Sequence, residues 1–231
     1  MEVAGVSRSD GGVSRRLVIL GKQGAGKGTQ AERLAHHYHV PRISTGDIFR
    51  AAVKEGTEAG QEAKVFMDAG DLVPDKVVVA VVAERLEEPD ANGFVLDGFP
   101  RNLTQAEALD NMLAPQGVDL VVELQVPKAM VLQRLAGRRV CMDCGANYSA
   151  ERPDETGTWT CVRCGGEVVL REDDTATAIN RRLTLYEKET EPLVAWYMAK
   201  DKLAPVDGVG SPDTVTARVL RAIDGRLAHT A

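Results

Sequence analysis

Residues 15–32 read RRLVILGKQGAGKGTQAE, and no other stretch constrains the fold as tightly. Leu17-Val18-Ile19-Leu20 is a short apolar run of strand formers, suited to a strand buried on both faces. Gly21 ends it, and Gly24, Gly26 and Gly28 follow. From Thr29 to Ala35 the residues are mostly good helix formers. A strand, a glycine loop and a helix in this order can turn backbone amides around phosphate oxygens, with the helix N-terminus adding partial positive charge. Lys27, at the loop's end, supplies a point charge for β- and γ-phosphates. Gly21-x4-Gly26-Lys27 fits the phosphate-loop pattern, although Gly28 comes next and the hydroxyl arrives at Thr29. A dinucleotide fingerprint would need glycine at position 29. The stretch therefore reads as a nucleoside triphosphate site.

With 231 residues the chain can bury a substantial core, as one domain with or without inserts. Its net charge of −6 predicts no general attraction to nucleic acid or anionic membrane. Any polyanion site must come from locally grouped arginines. No apolar run approaches the ~20 residues of a membrane span. The N-terminus has no signal-peptide apolar core, so residues 1–14 read as a disordered tail and the protein as cytoplasmic.

Along the chain, strands alternate with helices, which indicates a parallel sheet covered on both faces. The first helix runs to about Tyr38. A short strand at 40–44 leads into two small helices at 46–54 and 61–69, an insert too small for its own core. Asp75 is expected to cap a helix reaching about Glu87, and Thr104 one reaching about Met112. Buried strands are expected at 93–96 and 118–126, and Pro127 opens a helix through Ala136. The rhythm is lost over 137–174. It resumes with a helix from Thr175, another from Pro192, a last short strand near 203–206 and a closing helix at 213–227.

The suggestive side chains fall where open α/β sheets gather their ligands, at the carboxyl ends of strands. Asp97 directly follows an apolar run, the place where a phosphate-loop enzyme keeps the carboxylate that holds Mg²⁺, directly or through water. Arg50, Arg101, Arg134, Arg138, Arg171 and Arg182 sit near loops or helix ends, and together could converge on two polyanions. All four cysteines lie in Cys141-x2-Cys144 and Cys161-x2-Cys164, sixteen residues apart, each pair followed by glycine. Four thiolates make a closed tetrahedral site, so structural zinc is expected rather than two disulfides or free thiols.

Taken together, Gly21–Thr29, Ile43-Ser44-Thr45-Gly46-Asp47, Asp97-Gly98-Phe99-Pro100-Arg101, Gly137-Arg138-Arg139 and Arg171-x-Asp173-Asp174 with Arg182 resemble adenylate kinases, in particular the bacterial type with a long zinc-bearing lid. The resemblance runs from about Leu17 to the C-terminus. It implies an α/β nucleoside monophosphate kinase fold, with a five-stranded parallel sheet and helices on both faces. The core would be 15–43, 74–136 and 175–231, the AMP-binding insert 44–73 and the zinc-ribbon-like lid 137–174. It implies the reaction MgATP + AMP ⇌ 2 ADP on free nucleotides; the sequence shows no apolar stripe demanding a partner, so a monomer is expected.

The resemblance also implies roles. Gly24, Ala25, Gly26, Lys27, Gly28 and Thr29 would wrap the ATP phosphates, with Arg134 and Arg138 reaching them and Asn147 and Tyr148 touching ATP from the lid. A backbone contact to its adenine falls near Gly210. Thr45, Arg50, Asp71, Leu72, Val73, Gly98, Phe99, Pro100, Arg101 and Gln105 would form the AMP site. Arg171 and Arg182 would bridge both nucleotides, and Lys27, Arg101, Arg138, Arg171 and Arg182 would be catalytic. Asp97 would hold Mg²⁺ through water, and Cys141, Cys144, Cys161 and Cys164 the zinc. Gln23 departs from the family's usual proline. Thr45 with Gln105 is similar to AMP-selective members rather than UMP or CMP kinases. A phosphate-loop protein using its cysteine knuckles on nucleic acid is the alternative from another class; its support is weak, since 137–174 has five arginines, no lysine and eight acidic residues.

Overall fold

The structure, a computed structural model, describes residues 15–90, 92–148 and 159–228. The expected tail, 1–14, lies outside them, as does part of the 137–174 segment. One parallel sheet is built from β1 (Arg16–Leu20), β2 (Arg42–Ser44), β3 (Phe94–Asp97), β4 (Leu120–Gln125) and, late in the chain, β8 (Leu203–Asp207). Their order is β2-β3-β1-β4-β8, with Val18 paired to both Leu96 and Val121. Chain progression reverses direction at β1, so the loop that follows it opens at the sheet's topological switch point.

Period-two alternation divides β1 between two cores. Leu17 and Ile19 pack with α1 (Lys27–Tyr38), α6 (Lys128–Ala136), α7 (Ala176–Leu185) and α9 (Pro212–Leu227). Val18 and Leu20 pack on the other face with α4 (Asp75–Leu86), α5 (Leu103–Met112) and α8 (Pro192–Ala199). Each fully buried Leu or Ile contributes roughly 1.5–3 kcal/mol relative to exposure. This double burial is why β1 carries no polar residue between Leu17 and Leu20.

Two excursions leave the sheet. The first is α2 (Thr45–Glu55) and α3 (Glu58–Ala69), closed by Gly56 and Gly70 in left-handed conformations. The helix α3 starts earlier than expected because the Thr57 hydroxyl caps it, accepting from Gly60 N–H at 3.1 Å. The second is an antiparallel sheet of β5 (Arg139–Cys141), β6 (Asn147–Tyr148) and β7 (Val168–Leu170), ordered β6-β5-β7 and spanning from α6 to α7. A five-residue π turn, Tyr186–Thr190, links α7 to α8.

Two expected caps are corrected. Asn102, not Thr104, caps α5, accepting from Gln105 N–H at 2.9 Å. Pro74 precedes α4, and Asp75 lies inside the first turn rather than at its cap. Its carboxylate is drawn away from the helix's own amides by two side-chain amides on α5, those of Asn102 and Gln105.

Candidate active site

The glycine loop and the start of α1 form one wall of the principal cavity. Gly26, at φ 100°, precedes α1 with no side-chain cap, which leaves the first amides of the helix open to an anion. Gly24 has φ +81°, and a Cβ there would stand 2.9 Å from Leu135 Cγ, so only glycine keeps the loop seated against α6. Lys27 Nζ donates to the carbonyls of Gly21 (2.7 Å) and Lys22 (3.0 Å). Desolvation pushes the Lys27 ammonium down to about 8; Arg101 and Arg138 add to the fall while Asp97 opposes it. An ammonium disfavoured in this way favours an incoming polyanion.

Six arginines share this cavity: Arg42, Arg50, Arg101, Arg138, Arg171 and Arg182. Burial and then repulsion from Arg182 push Arg101 down to about 10. Burial, followed by Arg171, likewise lowers both Arg50 and Arg138. Two adjacent carboxylates tie Arg138, Arg171 and Arg182 together. Asp173 accepts from Arg171 (2.6 and 3.1 Å) and Arg182 (2.9 Å). Asp174 accepts from Arg138 (2.5 and 2.6 Å) and from the Gln23 amide (3.0 Å). Burial would raise the Asp173 carboxyl, yet the hydrogen bond and charge of Arg171, with the charges of Arg182 and Arg50, hold it well below the usual carboxylate range. The two carboxylates stand among the guanidinium groups as phosphate oxygens would.

Asp97, at the end of β3, lines the cavity beside Gly28. Its Oδ2 accepts from Arg42 Nη2 at 2.7 Å, and Arg42 Nη1 reaches Asp47 at 2.9 Å. Arg42 is a contributor that sequence reasoning missed, since a basic residue opening a short strand carries no distinguishing signal. Thr190 was missed too; its hydroxyl donates to the Arg101 carbonyl at 2.7 Å from the π turn.

The far wall brings together Thr45, Leu72, Val73, Gly98, Pro100 and Gln105. The Thr45 hydroxyl and Arg101 Nε both donate to the Gly98 carbonyl, at 3.0 and 2.8 Å. Gly98 has φ +87°, and a Cβ there would crowd Thr45 Oγ1 at 3.0 Å. Gln105 is 1% exposed. Its Oε1 accepts from Arg101 N–H at 2.8 Å, and its Nε2 donates to Asp75 at 2.7 Å. Asp71 also lines the cavity while its carboxylate pairs with Arg181 at 2.6 Å.

Other expected site residues stand back from the cavity wall. Phe99 and Ala25 are buried in the two cores. Arg134 spans the carbonyls of Ala25 (3.3 Å) and Gly208 (3.2 Å), tying the glycine loop to the segment after β8. Gly210 has φ +131° near Thr214. Asn147 lines the cavity, whereas its neighbour Tyr148 points its hydroxyl at Cys161 Sγ, 3.1 Å away.

The four cysteines are free thiols whose sulfurs all lie within 4.8 Å of one another. Two tight turns aim them: Gly145 N–H donates to the Cys141 carbonyl at 3.0 Å, and Gly165 N–H to that of Cys161 at 2.8 Å. The Tyr148 hydroxyl draws the Cys161 thiol down to about 6, while in Cys144 and Cys164 the backbone hydrogen bonds are outweighed by the neighbouring sulfurs, which push the thiols up. With every sulfur within 4.8 Å of the others, the group is compatible with zinc held by four thiolates at about 2.3 Å.

A sequence profile of the family described as adenylate kinase matches residues 19–202. The chain is 49% identical over 206 residues to an adenylate kinase of Syntrophobacter fumaroxidans, covering 88% of this chain and 97% of that protein. It is 50% identical over 203 residues to one from Thermodesulfovibrio yellowstonii, covering 87% and 94%. An adenylate kinase of Alkaliphilus oremlandii is 46% identical over 215 residues, covering 92% and 100%.

Proposed function

The chain belongs to the adenylate kinase family, and we propose that it carries out MgATP + AMP ⇌ 2 ADP by direct in-line transfer across the arginine-lined cavity. The observation that carries this reading is the placing of Lys27 and six arginines in one cavity between the glycine loop and the Thr45–Gln105 wall. In this reading the loop from Gly24 to Thr29 receives the ATP phosphates. The segment 44–73, with Gly98 to Arg101 and Gln105, receives AMP.

The acceptor is already an anionic phosphate oxygen, so the chain has no need of a strong general base. Its own residues position and neutralise. Lys27 and Arg138 hold the phosphoryl group being moved. Arg50 and Arg101 hold the AMP phosphate, and Arg171 and Arg182 keep the two nucleotides in line. Nucleotide phosphates then replace Asp173 and Asp174 as partners of the guanidinium groups. Mg²⁺ carried in with ATP offsets charge on the β- and γ-oxygens when bound. Asp97 fits its support: one oxygen is fixed by Arg42, and Oδ1 makes no hydrogen bond among the described residues.

The segment 137–174 acts as the lid in this account, stapled by zinc on Cys141, Cys144, Cys161 and Cys164. Its contacts support that role. Arg163 pairs with Glu32 of α1 at 2.7 Å, and Lys54 of α2 donates to the Met142 carbonyl at 3.3 Å. Closure over the cavity excludes water that would otherwise take the phosphoryl group. A monomer working on free nucleotides without a nucleic-acid partner suits the net charge of −6, and four reduced thiols holding a metal suit the cytoplasm.

The test is phosphoryl transfer from MgATP to AMP, CMP, UMP and GMP, with metal analysis of the same sample. AMP should be strongly preferred, with about one zinc per chain. Preference for CMP or UMP would overturn the roles given to Thr45 and Gln105. ATP binding without transfer to any acceptor would overturn the activity.

A further inference from the structure

A glutamine amide reads a base edge only if its two ends are told apart. Turned over by 180°, the same side chain offers its donor where its acceptor was. Gln105 has a neighbour at each end. The backbone N–H of Arg101, which can only donate, meets Oε1 at 2.8 Å. The carboxylate of Asp75, which as an anion can only accept, meets Nε2 at 2.7 Å. Turning the amide over would set N–H against N–H and oxygen against carboxylate. Asp75 is itself held by Asn102 Nδ2, at 2.9 and 3.1 Å. It stands behind the cavity wall, on the first turn of α4, and is not among the cavity's lining residues.

We propose that Asp75 is a specificity-determining positioning residue: it locks the Gln105 amide in the orientation that favours an acceptor-beside-amino base edge on the acceptor nucleotide. The inference rests on the proposed role of Gln105 as the AMP base contact. With both neighbours satisfied, Gln105 keeps one N–H and one Oε1 lone pair. Adenine presents N1, an acceptor, beside the N6 amino donor, and both meet their complements. Guanine presents N1–H beside O6, and uracil N3–H beside O4. Against the locked amide, each of these sets donor to donor and acceptor to acceptor. A buried polar group left without its complement is a strong means of rejection. Cytosine shares adenine's pattern, so its exclusion falls to the size of the pocket.

Asp75→Asn is close to isosteric and replaces an acceptor-only carboxylate with an amide that can also donate, so one of the two constraints on Gln105 is lost. The ratio of kcat/KM for AMP to that for GMP, and for AMP to UMP, should fall by about tenfold or more. The change should lie in the KM values, with kcat for AMP within about threefold of the parent. Leu109→Ala opens a cavity in the core beneath α5 but leaves Asp75 with both its amide partners. It should lower the melting temperature and keep the ratios, separating selectivity from general loosening. If Asp75→Asn does not fold, Asp75→Ser serves in its place, with the same fall expected. Unchanged ratios in a folded Asp75 variant would overturn the proposal. Gln105→Leu tells the two failures apart. A raised KM for AMP there, with ratios kept in Asp75→Asn, sinks the lock alone; an unchanged KM for AMP sinks the Gln105 role as well.

Discussion

Lys27 is the residue at which local electrostatics and ligand binding meet most directly. Its ammonium is pushed down to about 8 by desolvation, with Arg101 and Arg138 contributing. Phosphate oxygens would raise it again, so binding takes up a proton wherever the free site has begun to lose one. The sign follows from linkage: affinity is full below about pH 8 and declines as pH rises through that value, by up to about tenfold per unit. Titrating MgATP calorimetrically between about pH 7 and 9.5 should show this decline in the parent and its absence in Lys27→Met. The same substitution, and Arg138→Ala, should each slow transfer by roughly 10³-fold or more. Near-normal turnover in either variant would remove that residue from the mechanism.

At the scale of elements, the cysteine segment and the glycine loop obey different physics. Among the described residues, the apolar side chains packed around the sulfurs of the small sheet are few: Val168 is buried, with Ala146, Tyr148 and Trp159 partly so. A segment so poor in core is one that the proposed zinc would hold together. Cys161→Ser should therefore release zinc and lower the melting temperature while keeping appreciable activity at low temperature. Lost activity with an unchanged melting point would contradict a structural role for the metal. These elements also show which features are legible in a sequence. The run Leu17 to Leu20 announces a doubly buried strand because every position must be apolar. The cysteine pairs announce a four-sulfur cluster through spacing alone. The Asp75 cap was misassigned because a helix-start signal depends on which donors lie nearby, and here they come from Asn102 and Gln105, about thirty residues on. Arg42 and Thr190 were illegible for the same reason: their partners, Asp97 and the Arg101 carbonyl, become neighbours only on folding.

On the scale of the whole molecule, an acidic chain concentrates its buried cations in one place. The parallel sheet makes this practical, because β1, β2 and β3 deliver the glycine loop, Thr45 and Asp97 to the same edge. From the other side, α7 and the small sheet bring Arg182, Arg171 and Arg138. In the proposed reaction one nucleotide attacks the other directly in this cavity, with no protein nucleophile between them. The stereochemical course at phosphorus tests it most directly, using ATP made chiral at the γ-position with sulfur and oxygen isotopes and AMP as acceptor. One in-line displacement predicts inversion of configuration in the ADP formed from AMP. Retention would mean two displacements through a phosphorylated side chain and would contradict the account.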